Sequence, residues 1–444
     1  EGGSIPPCRP FFLEKKMELK RAKGTRDFLP EEKITRNNVV DILRKTFEKY
    51  GFNPLETPSL ERMDVLSSKY AGGAEIMKET FTLKDQGGRD LGLRYDLTVP
   101  FARVIAMNKG LRMPYKRYAI GRVFRDGPLK LGRYREFWQC DVDVVGCKTF
   151  VAETELLNIV KEVFDKIGMD IVVKVNDRRL LDVIIEKSGV DKEKINEVIL
   201  VIDKLDKIGI EAVKKELVDS VGIDKTVSDK LLEIVLCKGS NQDKLKIISS
   251  FIGENEGFDN LNNIFNEIDF LEFSPSLARG LSYYTGTVFE VFMKKGSIRS
   301  SLSAGGRYDE LIGDLVGDGK EYPSVGISFG LDVINEALKL VKNEEAVKKT
   351  VVDTYVVSIG CSEETRKIVQ KFREGDLKVD FDLLERGVSK NLDFASKAGI
   401  KYVVLVGKKE LEAKKITLKN MFSGEEQMLT INECFKLLTS ELVH

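Results

Sequence analysis

The chain has 444 residues, of which 32% are charged, and its 71 basic side chains balance 71 acidic ones. This length accommodates two or three domains, and zero net charge means that any surface for nucleic acid must be a local basic patch. No apolar run approaches the roughly 18 residues needed to cross a bilayer, so the sequence predicts no membrane role.

Cysteine and histidine are both sparse. The six cysteines are scattered without a Cys-x-x-Cys pair, which argues against a zinc site and indicates reduced thiols in the cytoplasm. The single histidine is the last residue, His444. A Ser-His-Asp or Cys-His mechanism is therefore disfavoured, and proton transfers must use carboxylates, tyrosine, lysine or the substrate.

The beginning of the chain divides into unlike segments. Residues 1–16 contain three prolines and lack a basic start followed by a long apolar core, so we interpret them as an added leader or cloning remnant and not as a secretory signal. Residues 38–50 have the apolar spacing of an amphipathic helix. Residues 51–58, which contain two prolines, follow it.

The most informative segment, residues 132–143, has its chemistry on alternate residues. Because successive strand side chains point to opposite faces, one face would carry Arg133, Arg135, Phe137, Gln139, Asp141 and Asp143. The other would carry Tyr134, Trp138, Cys140, Val142 and Val144 as core. The first face suits a ligand with an anionic end, a flat middle and a cationic or hydrogen-bonding end. A solvated face of an antiparallel sheet would show the same alternation.

A second strand is predicted directly before this one. Residues 115–125 have strand character, and residues 126–132 contain the glycine and proline of a hairpin loop. Arg125 would stand at the mouth of that hairpin. A planar guanidinium there can hold a phosphate through two hydrogen bonds, which lysine cannot do.

A long helical region follows the hairpin. No proline occurs between Leu129 and Ser274, and Ile195, Val198, Ile199, Ile202 and Leu205 follow helical spacing. We interpret residues of about 190–270 as a helical insertion within a domain that spans residues 17–345.

A separate domain is predicted for residues 350–444, after a linker rich in lysine and glutamate. Strands at 351–360, 378–382 and 402–407 alternate with helices at 363–372 and 390–398. This order predicts a mostly parallel or mixed sheet covered by helices. A Rossmann nucleotide site is disfavoured, because no Gly-x-Gly-x-x-Gly follows the first strand.

Four segments together resemble the histidyl-tRNA synthetases, a family of class II aminoacyl-tRNA synthetases. The hairpin resembles their motif 2. Residues 94–100 resemble the segment that contacts the amino acid, in the form typical of eukaryotic and archaeal members. Residues 278–286 and 304–309 resemble the two histidine-specific signatures. Residues 51–58 also resemble motif 1, which builds the dimer interface in this class.

The resemblance implies a fold and a set of partners. The fold would be an α+β catalytic core built on an antiparallel sheet, with a helical insertion, followed by a C-terminal α/β anticodon-binding domain. The insertion would hold the acceptor arm of tRNA(His), although a domain that only packs would have the same pattern. The protein would be a cytoplasmic homodimer that uses L-histidine and ATP, with Mg²⁺ bound to the ATP and no metal bound by the protein.

The resemblance also implies roles for individual residues. Arg125 and Arg279 would be catalytic, because they would stabilise charge on the α-phosphate as the histidine carboxylate attacks it. ATP would be bound by Arg125, Arg133, Phe137 and Arg279, with Phe137 stacked on the adenine. Gly305 and Gly306 would let the backbone approach the ligand. Histidine would be bound by Asp96, Leu97, Thr98, Arg125, Gln139, Asp143, Arg279, Tyr283, Tyr284 and Tyr308.

Two positions depart from the family pattern. Ser282 lies in the first histidine signature, and Val333 stands where motif 3, here residues 324–333, normally has an arginine. Three functions therefore stay open: a histidine-tRNA ligase, the inactive synthetase-like regulatory subunit of ATP phosphoribosyltransferase, and a synthetase-like tRNA sensor. The C-terminal domain argues against the regulator, and the absence of any effector-like segment argues against the sensor.

Overall fold

The computed structural model describes residues 19–67, 73–129, 132–279, 283–341 and 349–442. Residues 1–16, Ser282 and His444 lie outside these ranges. Within these ranges, no helix is long and apolar enough to span a membrane.

The first part of the chain is organised by β-strands that form two sheets. The strands are β1 (Asn53–Pro54), β2 (Leu60–Arg62), β3 (Thr82–Lys84), β4 (Asp90–Leu93), β5 (Tyr115–Phe124), β6 (Glu136–Val145), β7 (Ile171–Asp177), β8 (Leu271–Phe273), β9 (Thr287–Met293), β10 (Ser303–Arg307) and β11 (Ser324–Gly330). The large sheet has the order β1-β5-β6-β11-β10-β9-β7-β8, and a small sheet has the order β2-β4-β3. The six central strands of the large sheet pair antiparallel, whereas β1 and β8 pair parallel at its edges.

Helices cover this sheet and fill the long connection between β7 and β8. They are α1 (Pro30–Lys49), α2 (Met63–Leu66), α3 (Gly73–Lys78), α4 (Thr98–Met107), α5 (Val151–Ile167), α6 (Arg178–Ser188), α7 (Ile195–Ile202), α8 (Leu205–Ile208), α9 (Ile210–Asp219), α10 (Lys225–Val235), α11 (Asn241–Ile252), α12 (Glu256–Glu267), α13 (Leu311–Val316) and α14 (Leu331–Val341), with a 3-10 turn at Lys192–Lys194. The stripe Val198, Ile199, Ile202 and Leu205 is buried, as its spacing predicts.

Helix α1 begins earlier than its apolar pattern indicates. Proline at the first helical position and acidic residues in the first turn both favour a helix start at Pro30. The predicted start at residue 38 is therefore wrong, because the first turns are polar and have no apolar periodicity to detect.

The β5–β6 hairpin positions the alternating residues. Its register runs from Tyr115 opposite Val145 to Phe124 opposite Glu136, so the second strand begins at Glu136 and the connecting loop is longer than predicted. Cys140, Val142 and Val144 pack in the core against α1 and α5. Phe137, Gln139 and Asp143 consequently face away from these two helices.

The C-terminal part has its own sheet and its own core. Its strands are β12 (Thr354–Ile359), β13 (Val379–Phe381), β14 (Tyr402–Gly407), β15 (Ile416–Asn420) and β16 (Glu426–Leu429), and its helices are α15 (Ser362–Arg373), α16 (Val388–Lys397), α17 (Lys408–Glu412) and α18 (Ile431–Leu442). The order is β13-β12-β14-β15-β16. The first three strands are parallel and the last two antiparallel. The predicted α+β core and mixed C-terminal α/β domain are confirmed, while the β15–β16 hairpin and α18 were not predicted.

Candidate active site

A cavity of about 1200 Å³ opens on the sheet face that lies opposite α1 and α5. With one exception, Leu97, all the residues predicted to bind histidine or ATP line it. They are Asp96, Thr98, Arg125, Arg133, Phe137, Gln139, Asp143, Arg279, Tyr283, Tyr284 and Tyr308. The structure therefore brings together side chains from segments that are far apart in sequence.

Two arginines are held in this cavity by contacts to protein. The Arg125 Nε donates to the carbonyl of Tyr95 at 3.0 Å, and its guanidinium lies 5.4 Å from the centroid of the Phe137 ring. The Arg279 Nη1 donates to Glu290 Oε1 at 2.6 Å, and its guanidinium lies 5.6 Å from the centroid of the Tyr284 ring. Both are positioned to receive an anion.

Burial alone would lower the pKa of both arginines, but their neighbouring groups differ. Burial lowers the pKa of Arg125, against an opposing effect of Asp96. For Arg279 the desolvation is outweighed by Tyr284 and Glu290, which raise its pKa. The immediate surroundings of Arg279 therefore favour its positive charge more than those of Arg125 do.

Buried carboxylates surround the opposite part of the cavity. Asp96 accepts from the backbone N–H of Val99 at 3.0 Å at the start of α4, and burial raises its pKa to about 6. Burial raises the pKa of Asp141 to about 7, with Arg117 opposing and Asp143 adding to the shift. Asp141 Oδ1 has no hydrogen-bond partner within the described residues. Buried anions with raised pKa values favour a cationic ligand.

Asp143 is fixed from two sides. Its Oδ2 lies 2.8 Å from Arg117 Nη2, and its Oδ1 accepts from the Tyr308 hydroxyl at 2.6 Å. Burial raises its pKa, and Arg117 opposes that shift. The nearby Gln139 Oε1 has no partner in the part of the chain that the structure describes, so it is an acceptor without an internal donor.

Three tyrosines form an aromatic wall. The ring centroids of Tyr283 and Tyr284 are 4.7 Å apart, and those of Tyr283 and Tyr308 are 6.1 Å apart. All three are buried in a cluster that also contains Phe101 and Leu311. They serve as core and as cavity lining at once, and a flat ring would pack against them.

Comparisons with known proteins decide the family. The histidyl-tRNA synthetase pattern matches residues 24–334, and the anticodon binding domain pattern matches residues 350–441. The chain belongs to the histidyl-tRNA synthetase family. A histidine–tRNA ligase 1 of Bacillus cereus is 44% identical over 418 residues, which cover 92% of this chain and 97% of that protein.

Solved structures of histidyl-tRNA synthetases share this fold. The crystal structure from Nostoc sp. PCC 7120 has a TM-score of 0.83 at 31% identity and covers 96% of this chain and 100% of that one. An ATP phosphoribosyltransferase regulatory subunit/histidyl-tRNA synthetase from Bacillus halodurans has a TM-score of 0.72 at 22% identity, over 88% of this chain and 99% of that one, and shows the fold alone. These relatives are bacterial, so the predicted eukaryotic or archaeal affinity is not supported.

Some residues singled out in this synthetase sequence lie elsewhere. The Leu97 side chain packs with Ala119, Val123 and Phe137 and does not line the large cavity, while its carbonyl accepts from Arg117 at 3.2 Å. Arg135 precedes the strand and pairs with Asp126 at 2.8 Å. Because Arg135 lies outside β6, its side chain does not have to follow the alternation of faces along that strand.

Three residues that build the synthetase cavity were missing from the predicted binding set: Asp141 and Glu290 line it, and Arg117 lies buried behind Asp143. Arg117 compensates Asp143, Asp141 presents an unpartnered oxygen, and Glu290 holds Arg279. Arg117 lies directly opposite Asp143 across the hairpin. Applying the same alternation of faces to β5 would have placed Arg117 on the ligand face. Glu290 lies on β9, whose approach to Arg279 depends on the tertiary fold.

The glycines of the second histidine signature serve the packing of the synthetase sheet. A Cβ on Gly305 would collide with the carbonyl of Gly326, and a Cβ on Gly306 would lie 2.6 Å from the carbonyl of Thr287 and 2.8 Å from the Tyr284 ring. Protein fills both spaces. Both glycines also line the cavity, so the prediction that they let the backbone approach a ligand stays a prediction, while neighbouring strands and an aromatic ring require glycine there in any case.

Val333 does line the synthetase cavity. A Cβ on Gly132 would be 3.4 Å from Val333 Cγ2, so the β5–β6 loop lies close against this side chain. Arg133 or Arg307 could take the place of the missing motif 3 arginine, and Arg133 lines the cavity. Arg307 does not, because it forms a buried pair with Glu153.

Replacing Val333 by arginine should strengthen ATP binding. A cation over an adenine ring is worth roughly 0.5–2 kcal/mol, which corresponds to a dissociation constant about 2- to 30-fold lower by the rule of 1.4 kcal/mol per tenfold. Calorimetric titration of ATP and histidine into wild type and Val333→Arg measures both affinities. The matched apolar variant Val333→Met should bind ATP as the wild type does. Unchanged or weaker ATP binding in a folded Val333→Arg protein would show that the base is held elsewhere.

Proposed function

We propose that the protein joins L-histidine to tRNA(His) in two steps. The histidine carboxylate attacks the α-phosphorus of ATP, so that histidyl-adenylate forms and pyrophosphate leaves. A hydroxyl of the terminal tRNA ribose then attacks the carbonyl carbon, and AMP leaves. The observation that carries this proposal is a cavity that has two half-buried arginines in one part and buried carboxylates in the other, within a chain that belongs to this family.

In the first step, Arg125 and Arg279 act on the α-phosphate. Arg279 is held by Glu290 in a fixed position before any ligand binds. A preorganised cation requires no reorganisation as negative charge develops on phosphorus, which is the main source of electrostatic catalysis. No covalent enzyme intermediate is needed, because the histidine carboxylate is itself the nucleophile.

The histidine substrate fits the opposite part of the cavity. Its α-ammonium group can be received by Asp96 and Asp143, with Thr98 and Gln139 at their side, since these carboxylates are buried and line the cavity. Its imidazole can pack against Tyr283, Tyr284 and Tyr308. We also assign Asp141, which lines the same cavity and has a buried oxygen without a hydrogen-bond partner among the described residues.

ATP fits the part of the cavity nearer the hairpin loop. Phe137 presents an aromatic ring for the adenine, and Arg133 is exposed at the cavity rim for the outer phosphates. Mg²⁺ would arrive bound to these phosphates as part of the substrate. Across the described ranges, no group of three or more His, Cys, Asp or Glu side chains is arranged to hold a metal ion.

A direct test is amino-acid-dependent exchange between ATP and pyrophosphate. The protein should catalyse exchange with L-histidine and with no other standard amino acid, and it should charge tRNA that carries the histidine anticodon. Exchange requires both adenylate formation and its reversal, so a protein that only binds histidine gives none. Histidine binding without exchange would favour the regulatory subunit of ATP phosphoribosyltransferase, for which Val333 is the supporting observation.

The remaining assignments are also proposals. We infer a homodimer that forms through the motif 1-like residues 51–58, and light scattering should give twice the mass of the chain. We infer that the C-terminal domain binds the anticodon, supported by the match to the anticodon binding domain pattern over residues 350–441. A cytoplasmic location accords with this role in protein synthesis.

A further inference from the structure

The loop between β9 and β10 is a basic hairpin at the rim of the cavity. Residues 294–301 contain Lys294, Lys295 and Arg299 together with three serines, and they contain no acidic residue. We call residues 294–301 the basic hairpin. The net charge of the chain is zero, so a surface that binds nucleic acid must be a local patch of positive charge. The basic hairpin is such a patch.

The backbone of the basic hairpin is anchored. The Lys294 N–H donates to the carbonyl of Asp170 at 3.0 Å, and the Leu302 N–H donates to the carbonyl of Val291 at 2.8 Å. Ile298 packs against the main hydrophobic core, and Leu302 is fully buried. The loop is therefore held at both ends and in its middle.

The three basic side chains, in contrast, are exposed. None of them makes an ion pair or a side-chain hydrogen bond with the residues that the structure describes. Across the cavity, Lys174 lies 3.2 Å from Asp206, and Lys207 lies 2.9 Å from Asp203. The cations on that side are compensated, whereas those of the basic hairpin are not.

The cavity extends past the reaction site into the space between these two walls. Its lining includes residues 298–301 of the basic hairpin on one side and residues 202–203 and 205–207 of the insertion on the other. Its volume of about 1200 Å³ exceeds the roughly 300–1,000 Å³ of typical small-molecule pockets. This extension leads from the outer rim to the site where adenylate would form.

We propose that the basic hairpin binds the phosphate backbone at the acceptor end of the tRNA as that end enters between the sheet and the insertion helices. The inference rests on the proposed function. Lysine, arginine and serine are the side chains that contact nucleic-acid phosphates. The basic hairpin contains no aromatic residue, so it lacks a surface for stacking bases. Its role is to position the strand and not to read its sequence.

The test variant is the triple substitution Lys294→Gln, Lys295→Gln and Arg299→Gln in the full chain. Its affinity for tRNA should fall at least tenfold at low salt. Each phosphate that a cation neutralises contributes roughly 0.7–0.9 to the slope of log affinity against log salt concentration. Removing the three cations should therefore reduce the magnitude of this slope by about 2. Fluorescence anisotropy with labelled tRNA(His) measures both. Pyrophosphate exchange, which requires no tRNA, should keep the wild-type rate and the wild-type KM for ATP.

A matched control removes the same charge from the other face of the sheet. Arg44→Gln, Lys45→Gln and Lys161→Gln change surface side chains on α1 and α5, and this control should keep the salt slope of the wild type. The proposal is overturned if the hairpin variant binds tRNA as tightly as the control does. It is also overturned if the hairpin variant instead raises the KM for ATP in exchange, because the phosphates bound would then be those of the nucleotide. Absence of exchange in the wild type would refute the proposed function and leave the binding comparison intact.

Discussion

Replacing Arg279 by alanine should slow histidyl-adenylate formation by about 10²- to 10³-fold, the usual loss when one preorganised transition-state donor is removed. Histidine affinity should change much less, because the charge that Arg279 stabilises develops during attack on the phosphate. Single-turnover formation of adenylate and calorimetric titration of histidine measure the two effects separately.

Two further variants sharpen the Arg279 experiment. Arg279→Lys keeps the charge and loses the planar fork, so its rate should lie between those of wild type and alanine variant. Glu290→Gln removes the charged partner that holds Arg279 at 2.6 Å. It should lower the rate of adenylate formation, although the charge of Arg279 is kept. A folded Arg279→Ala protein with near-normal turnover would remove Arg279 from the mechanism.

Replacing Glu153 by alanine should destabilise the domain that contains the large sheet by about 3–5 kcal/mol, the cost of leaving one member of a buried ion pair alone. Glu153 is fully buried, and its oxygens lie 2.7 Å and 2.6 Å from Arg307 Nε and Nη2. The Arg307 guanidinium would keep its interaction with Asp309, at 3.2 Å, but would lose its closest anion.

Urea unfolding followed by tryptophan fluorescence measures this loss. The chain has one tryptophan, Trp138 on β6, so the signal reports the domain built on the large sheet. Asp165→Ala removes half of an exposed pair with Lys161 on α5 and should cost at most about 0.5 kcal/mol. Equal unfolding midpoints for Glu153→Ala and Asp165→Ala would show that the buried pair contributes no more than the surface pair.

The sequence predicted the orientation of side chains correctly where the structure follows from local periodicity. Alternation along one strand is a geometric property of the extended backbone, and it assigned Phe137, Gln139 and Asp143 to one face before any partner strand was known. Helical spacing identified the buried stripe at Val198 and Ile199 for the same reason. The lengths of elements were less certain, since the polar first turns of α1 have no periodic signal.

Residues whose position depends on pairing between distant segments could not be predicted in this way. The contact of Arg117 with Asp143 requires the hairpin register, and the contact of Glu290 with Arg279 requires the packing of β9 near a loop. The resemblance to the family assigned Leu97 to the ligand, but the fold turns its side chain into a core cluster. The backbone around a motif can thus be shared while individual side chains point elsewhere.

The glycines in the sheet floor determine how the amino-acid preference of this enzyme could be redesigned. A side chain at position 326 would collide with Asp143 Oδ1, and one at position 305 would collide with the adjacent strand. Positions 305 and 326 therefore tolerate no side chain that would change the shape of the pocket. A library aimed at non-natural amino acids should leave these positions fixed and vary Tyr283 and Tyr284 instead, since truncating a ring creates volume without disturbing a strand. Tyr308 is a poorer choice, because shortening it would also free the carboxylate that it holds.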